Sequence, residues 1–150
     1  MGLAIQSPAP GRSGREIVVS STRSDSHTWN LVYLQLALEE LGHRVVNLGA
    51  CVPDEFLLAE CRARCPDMVV LSTVNGLGFQ DGLRVIGVLR GAPELTATPI
   101  VIGGKLGIRG ADARRSSALV AAGFDTVFED DAGIDALDSY MKSALDRVAV

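Results

Sequence analysis

Residues 16–42 read EIVVSSTRSDSHTWNLVYLQLALEELG, and this stretch decides the fold class. The apolar run 17–20 has the length and composition of a buried β-strand. The polar segment 21–30 follows it, and leucines then recur at helical spacing before Gly42, a residue type that commonly ends helices: Leu31, Leu34, Leu38 and Leu41. The stretch is therefore predicted to form a strand, a long polar loop and an amphipathic helix.

The same alternation continues to the end of the chain. Four more short apolar runs are predicted to be strands: 44–48, 68–72, 100–102 and 126–128. Helical spacing is found near 53–64, 79–90 and 111–122 and in a last helix that carries acidic residues near its start, within 131–135, and an apolar stripe of Ile134, Leu137, Met141 and Leu145. Alternating strands and helices favour a parallel sheet with right-handed crossovers. The predicted fold is α/β and flavodoxin-like, a doubly wound five-stranded sheet in the order 2-1-3-4-5 with helices on both faces.

Length and composition predict a single domain. The chain has 150 residues, of which 47% are hydrophobic and only 5% aromatic, so an aliphatic core is expected. Residues 1–14 are rich in Gly, Ser and Pro and show no periodicity. They are predicted to be a disordered lead-in to a domain that spans 15–150.

Charge and hydropathy argue against several classes of function. The formal net charge is -4 and no basic stripe is present, so nucleic acid is not an expected partner. The sequence has no secretory signal and no apolar run long enough to cross a membrane, which favours a cytoplasmic protein without membrane contact. Its three cysteines, an odd number, are predicted to be small buried hydrophobes and not disulfides: Cys51, Cys61 and Cys65.

Polar and glycine-rich segments follow three of the predicted strands. They are 21–30 after the first strand, 72–78 after the third and 103–107 after the fourth. In doubly wound sheets, ligands bind beyond the carboxyl ends of the strands, near the switch point. A ligand site is therefore predicted where these segments converge. The Gly103-Gly104-Lys105 run lacks the spacing of a phosphate-binding P-loop, which argues against a nucleotide ligand.

Three groups of residues in these segments resemble a known family. Asp25-Ser26-His27, Ser72-Thr73-Val74 and Gly103-Gly104 are similar to the D-x-H-x-x-G, S-x-L and G-G series of cobalamin-binding domains. The flanking sequence at 41–49 and 75–78 most resembles the small subunit of glutamate mutase, also called methylaspartate mutase. The resemblance covers residues 16–148.

The resemblance implies a cofactor and a set of residues that hold it. The cofactor would be adenosylcobalamin, with His27 as the lower cobalt ligand and Asp25 orienting its ring, while the nucleotide tail is buried in the domain. The implied cofactor-binding residues are Ser24, Asp25, Ser26, His27, Thr28, Ser72, Thr73, Val74, Gly103, Gly104, Lys105, Leu106 and Gly107.

The resemblance also implies a reaction and a partner. A larger catalytic subunit would hold the amino-acid substrate and pair with this chain for the radical isomerisation of glutamate to 3-methylaspartate. No catalytic residue is expected in this chain alone. The methyl-carrier proteins of corrinoid methyltransferases usually place a helical domain ahead of a similar module, and the short lead-in here argues against that alternative. A cobalamin sensor remains open. A receiver domain is disfavoured, because it requires an aspartate at the end of the third strand and a lysine after the last strand, whereas Ser72 ends the third strand here and no lysine follows the fifth until Lys142.

Several positions depart from the family pattern or have two readings. Asn30 stands where the series has glycine, and asparagine tolerates left-handed backbone angles, although its side chain could crowd the corrin. Val74 replaces leucine. Glu129, Asp130 and Asp131 replace a neutral turn and are read as solvated residues at a helix start, with a changed partner surface as the alternative. Trp29 is expected to pack at the start of the first helix, and His43 to be solvated.

Overall fold

The structure is a computed structural model that describes residues 14–108, 110–129 and 133–146. The predicted lead-in, apart from Gly14, lies outside the described residues. The strands are β1 (Glu16–Ser20), β2 (Arg44–Asn47), β3 (Met68–Thr73), β4 (Ile100–Gly104) and β5 (Thr126–Glu129). The helices are α1 (Trp29–Glu40), α2 (Asp54–Arg64), α3 (Gly78–Arg90), α4 (Ala113–Ala122) and α5 (Gly133–Asp146), with a short 3-10 turn at Pro93–Leu95.

The five strands form one parallel sheet in the order 2-1-3-4-5, which confirms the predicted topology. β3 lies at the centre, and all six of its residues are buried. Its register with β4 places Ser72 opposite Gly103 and Thr73 opposite Gly104. Two of the predicted site segments therefore end side by side at the carboxyl edge of the sheet.

The core has two layers because alternate side chains of each strand point to opposite faces of the sheet. The first layer lies between the sheet and the helices α2, α3 and α4; it includes Val18, Leu57, Val69, Leu71, Ile86, Leu89, Ile102 and Leu119. The second lies under α1 and α5 and includes Ile17, Val19, Leu31, Leu38, Val70, Val101, Leu137 and Met141. Among the described residues, no helix is long and apolar enough to cross a membrane.

Two expectations about individual side chains, those of the cysteines and of His43, are wrong. Of the cysteines, only Cys61 is buried, and burial raises the pKa of its thiol to about 12; Cys51 and Cys65 are exposed. His43 is half-buried and not solvated: its Nδ1 accepts a hydrogen bond from the backbone N–H of Arg15 at 3.3 Å, and burial lowers its pKa.

Candidate functional site

The β1–α1 loop is attached to the end of β3 through the side chain of Asp25. This carboxylate is fully buried, and its Oδ2 accepts hydrogen bonds from Thr73 Oγ1 and from the backbone N–H of Val74, both at 2.7 Å. The backbone N–H of Cys51 donates to the carbonyl oxygen of Asp25 at 2.9 Å, which adds a tie to the segment after β2. The β1–α1 loop, in which residues 26–29 are exposed, is thus held at a defined place on the sheet edge.

The other oxygen of Asp25 holds His27. Oδ1 accepts the backbone N–H of His27 at 3.0 Å and lies 2.6 Å from Nδ1 of its ring. Burial alone would raise the pKa of Asp25, but the hydrogen bonds from Thr73, His27 and Val74 outweigh it and bring the pKa down to about 2. An ionised carboxylate at Nδ1 favours the tautomer with its proton on that nitrogen. The second ring nitrogen, Nε2, then keeps a lone pair, and the His27 side chain is 47% exposed.

A cavity of about 540 Å³ opens beside this loop. It lies between α1, the ends of β3 and β4, the β4–α4 loop, β5 and the start of α5. Its walls are formed by Trp29, Asn30, Tyr33, Leu34, Val70, Leu71, Ser72, Val74, Gly103, Gly104, Lys105, Gly107, Ile108, Gly110, Phe128, Gly133, Ile134 and Leu137. Six residues that the sequence assigned to the cofactor are among them: Ser72, Val74, Gly103, Gly104, Lys105 and Gly107.

The other predicted cofactor residues lie away from the cavity wall. The hydroxyl of Thr73 donates its hydrogen bond to Asp25. Leu106 is buried, and its carbonyl oxygen accepts a hydrogen bond from the backbone N–H of Phe79 at 2.9 Å. Ser24 Oγ donates to the carboxylate of Asp81 and accepts from Asn75 at 3.0 Å. Ser26 and Thr28 are exposed in the loop on either side of His27.

The two glycines that end β4 line the cavity and pack closely against the neighbouring strands. A Cβ atom on Gly103 would lie 2.8 Å from the carbonyl oxygen of Phe128. Gly104 has a φ of +108°, and a Cβ there would overlap the carbonyl oxygen of Thr73. Neither position accepts a side chain without movement of the neighbouring strand, so both glycines are required by the sheet edge itself.

Position 30 has a different geometry from the one its sequence suggested. Asn30 lies in the first turn of the right-handed helix α1, so no left-handed backbone angle is needed there. Its side chain is buried, and Nδ2 donates to Ser72 Oγ at 2.8 Å. Sequence reasoning missed this pair because the two residues are remote in the chain.

Two further expectations around the cavity are wrong. Trp29 does not pack against the helix start: it is 64% exposed and forms part of the cavity wall. Glu129 is not solvated, because it accepts hydrogen bonds from Arg115 at 2.8 Å, from Ser116 Oγ at 2.9 Å and from the backbone N–H of Asp112 at 2.9 Å. Asp130 and Asp131 lie outside the described residues.

Glu129 fastens the β4–α4 loop to the end of β5. Burial would raise its pKa, but the hydrogen bonds from Asp112, Arg115 and Ser116 lower it. Arg115 also donates to the carbonyl oxygen of Gly110. The part of the loop that lines the cavity is therefore held by a part-buried ion pair, which the composition of the turn alone did not predict.

Comparison with solved structures shows proteins of the same fold. A cobalamin-binding protein from Desulfitobacterium hafniense matches with a TM-score of 0.64 and 21% identity over 80% of this chain and 55% of its own. The methanol:cobalamin methyltransferase complex MtaBC from Methanosarcina barkeri gives a TM-score of 0.66 at 21% identity, over 92% of this chain and 49% of that one. This chain thus spans about half the length of each. A receiver domain of a Francisella response regulator gives 0.69 at 18% identity, over 90% and 99%. At such identities the likeness shows the fold alone.

Sequence comparison distinguishes between the cobalamin-binding proteins and the receiver domains that share this fold. The glutamate mutase sigma subunit of Halobacterium salinarum is 29% identical over 131 residues, which cover 87% of this chain and 87% of that protein. The family model of the B12 binding domain matches residues 15–136. That range includes the Asp25–His27 pair, the end of β3 and both glycines of β4. This chain therefore belongs to the B12-binding domain family.

Proposed function

We propose that this chain is the cobalamin-binding small subunit of a cytoplasmic, adenosylcobalamin-dependent carbon-skeleton mutase that interconverts glutamate and 3-methylaspartate. The observation that carries this proposal is the Asp25–His27 pair, with Nδ1 of the ring 2.6 Å from a fully buried carboxylate. The identity of 29% to a glutamate mutase sigma subunit supports the choice of reaction. A larger subunit would hold the amino-acid substrate.

The side chains of the described residues are suited to a metal that is already coordinated by a cofactor. They contain no group of three or more His, Cys, Asp or Glu side chains that could hold a metal ion on their own. They do offer one imidazole whose tautomer is set by a carboxylate, and one such ligand suits a metal whose equatorial positions are filled by a macrocycle. His27 would bind cobalt through Nε2 while Asp25 fixes the ring.

The cavity fits a buried nucleotide tail. Ser72 and Asn30 contribute polar residues to the cavity wall, Val74 and Phe128 contribute apolar ones, and Gly103 and Gly104 contribute backbone without side chains. Pockets for small ligands commonly combine a largely apolar lining with a few placed polar groups. We assign this cavity to the tail, with Lys105 and Gly107 along the same wall.

The residues of this chain indicate which roles would belong to the cofactor, to this chain and to the larger subunit. Adenosylcobalamin supplies radical chemistry when bound, because its cobalt–carbon bond cleaves homolytically. Asp25 and His27 would hold and orient the metal centre, and the cavity would exclude water from the tail. Substrate recognition would belong to the larger subunit.

Electron paramagnetic resonance of the chain loaded with cob(II)alamin tests the assignment of His27. We expect nitrogen-15 labelling of histidine to change the axial nitrogen splitting from a triplet to a doublet, because the coupled nitrogen then comes from the protein. His27→Ala should abolish the label-dependent splitting. His43→Gln is the matched control, since it removes the chain's other histidine and should leave the doublet intact. A triplet that ignores the label would rule out His27 as the ligand.

A reconstitution experiment tests the reaction. The chain is mixed with the large subunit of a glutamate mutase, adenosylcobalamin and glutamate, and 3-methylaspartate is measured by nuclear magnetic resonance. We expect product only when both subunits are present. Absence of product, with corrinoid binding intact, would favour a methyl carrier or a cobalamin sensor instead.

A further inference from the structure

Asp81 is a buried carboxylate of α3 that holds the β1–α1 loop from outside the cavity. It is only 6% exposed and is not among the residues that line the cavity. One of its oxygens, Oδ2, accepts a hydrogen bond from Ser24 Oγ, and the other, Oδ1, accepts from Arg84 Nη1 at 3.0 Å. Ser24 directly precedes Asp25 in the chain. Two adjacent residues therefore attach the loop, Asp25 to the end of β3 and Ser24 to α3.

Arg84 keeps the carboxylate of Asp81 oriented toward the loop. Its guanidinium also donates two hydrogen bonds to Asp54 at the start of α2, from Nε at 2.6 Å and from Nη2 at 3.2 Å. Asp54 is 6% exposed, so one guanidinium is shared by two buried carboxylates. Bidentate pairing fixes geometry because the donors of a guanidinium lie in a rigid plane. The position of Asp81 is thus set by two helices that do not line the cavity.

Ser24 passes this restraint on to the candidate metal ligand. Its hydroxyl donates to Asp81, and its oxygen accepts a hydrogen bond from Asn75 Nδ2 at 3.0 Å, so both of its hydrogen-bonding functions are used. The next residue, Asp25, holds the ring of His27 through Oδ1. A displacement of Ser24 would therefore move the carboxylate that orients His27.

We propose that Asp81 is a positioning residue, which acts through Ser24 to fix the β1–α1 loop in the place from which His27 can coordinate cobalt. This inference rests on the proposed function, since it takes His27 to be the lower ligand. Loss of an outer partner of a metal ligand commonly lowers metal affinity about 10- to 100-fold. Because Asp81 lies outside the cavity, its effect should be confined to coordination by His27 and should not extend to the tail.

The test compares two forms of cobalamin. Cob(II)alamin can exchange its lower axial base for His27, whereas dicyanocobalamin, kept in excess cyanide, has both axial positions occupied and binds through its corrin and tail alone. Trp29 is the only tryptophan of the chain and lies in the cavity wall, so its fluorescence reports the binding of both. We expect Asp81→Asn to weaken the binding of cob(II)alamin about 10-fold and to leave that of dicyanocobalamin unchanged. The amide keeps the shape of the carboxylate, but its single accepting oxygen cannot serve both Ser24 and Arg84.

Three further variants sharpen the result. Ser24→Ala removes the hydroxyl and leaves the Asp81–Arg84 pair intact, so it should reproduce the effect even if Asp81→Asn does not fold. The double variant should bind cob(II)alamin no more weakly than the weaker of the two single variants, because both substitutions remove the same contact. Asp125→Asn is the control: it also removes an aspartate that pairs with an arginine, Arg90, but one remote from the loop, and both affinities should stay at their wild-type values.

Three outcomes would contradict the proposal. If Asp81→Asn weakens both forms of cobalamin equally, or neither, Asp81 does not act on coordination. If the effects of Ser24→Ala and Asp81→Asn are additive, Asp81 does not act through Ser24. A wild-type chain that binds cob(II)alamin without the histidine-derived doublet would overturn the assignment of His27 itself, and this inference with it.

Discussion

Thr73 Oγ1 donates a 2.7 Å hydrogen bond to Asp25 Oδ2, so the last residue of β3 holds the carboxylate that orients His27. The strand at the centre of the sheet is thereby joined to the β1–α1 loop. This bond and the one from the backbone N–H of Val74 leave Asp25 Oδ1 for the histidine. Two hydrogen-bonded contacts, Thr73 to Asp25 and Asp25 to His27, therefore link the buried strand β3 to the candidate metal ligand.

Asp25→Asn should weaken corrinoid binding about 10- to 100-fold, the usual effect of losing the group that orients a metal-bound histidine. The amide has one accepting oxygen and one NH₂ group, so it cannot accept both from Thr73 and Val74 on one side and from His27 on the other. Quenching of Trp29 fluorescence by added cobalamin measures the affinity. Asp125→Asn is a suitable control, because Asp125 pairs with Arg90 and with the backbone N–H of Ile100 at the opposite edge of the sheet. An unchanged affinity in Asp25→Asn would show that the carboxylate does not act through the histidine.

The same carboxylate should make the stability of the fold depend on acidic pH. Its pKa falls from an ordinary value of 3.8 to about 2 on folding. Ionised Asp25 therefore stabilises the folded state by about 2 kcal/mol at pH values above 3.8. This contribution is lost as the pH falls through about 2. We expect the difference in unfolding free energy between wild type and Asp25→Asn, measured in urea, to shrink from about pH 5 to about pH 2.

Other carboxyl groups titrate in this range, among them Asp81 and Glu129, whose pKa values are lowered in spite of burial because hydrogen bonds favour the ionised form. They titrate in both proteins, so the difference between wild type and variant isolates Asp25. A difference that stays constant across the acidic range would contradict the lowered pKa.

Glu129→Gln should destabilise the domain by about 3 kcal/mol, because it leaves the largely buried guanidinium of Arg115 without its counter-charge. Glu94→Gln is the matched control, since the Glu94–Arg62 pair is exposed and its loss should not be measurable. Urea unfolding followed by circular dichroism gives both values. Equal effects of the two substitutions would mean that Glu129 does not fasten the β4–α4 loop.

The fold was predictable from sequence because its signals are local. The apolar run of β3 and the leucines of α1 specify their own secondary structure, and alternation of strands with helices limits the order of the sheet. The Asp25–His27 pair was also predictable, since two residues in one short loop can meet without knowledge of the rest of the chain.

The remaining features of the site depend on contacts between distant residues. Asn30 was expected to be a replacement for a glycine with unusual backbone angles, and only its contact with Ser72 shows that it belongs to the cavity wall. Glu129 sits among other acidic residues in the sequence, and nothing nearby indicates that Arg115 reaches it. Side-chain partners of this kind become visible only when helices and strands are placed against each other.

The end of β4 should be intolerant of even one methyl group. Gly104→Ala would combine a positive φ with an overlap between its Cβ and the carbonyl oxygen of Thr73, and we expect a loss of about 3 kcal/mol or failure to fold. Gly87→Ala provides the contrast: Gly87 lies within α3, a Cβ there meets no atom within 4 Å, and alanine should stabilise the helix by about 0.5 to 1 kcal/mol. Urea midpoints of the two variants should therefore move in opposite directions. If Gly104→Ala were as stable as wild type, the close approach of β3 to β4 would not be what requires glycine, and a direct role in admitting the ligand would be the better explanation.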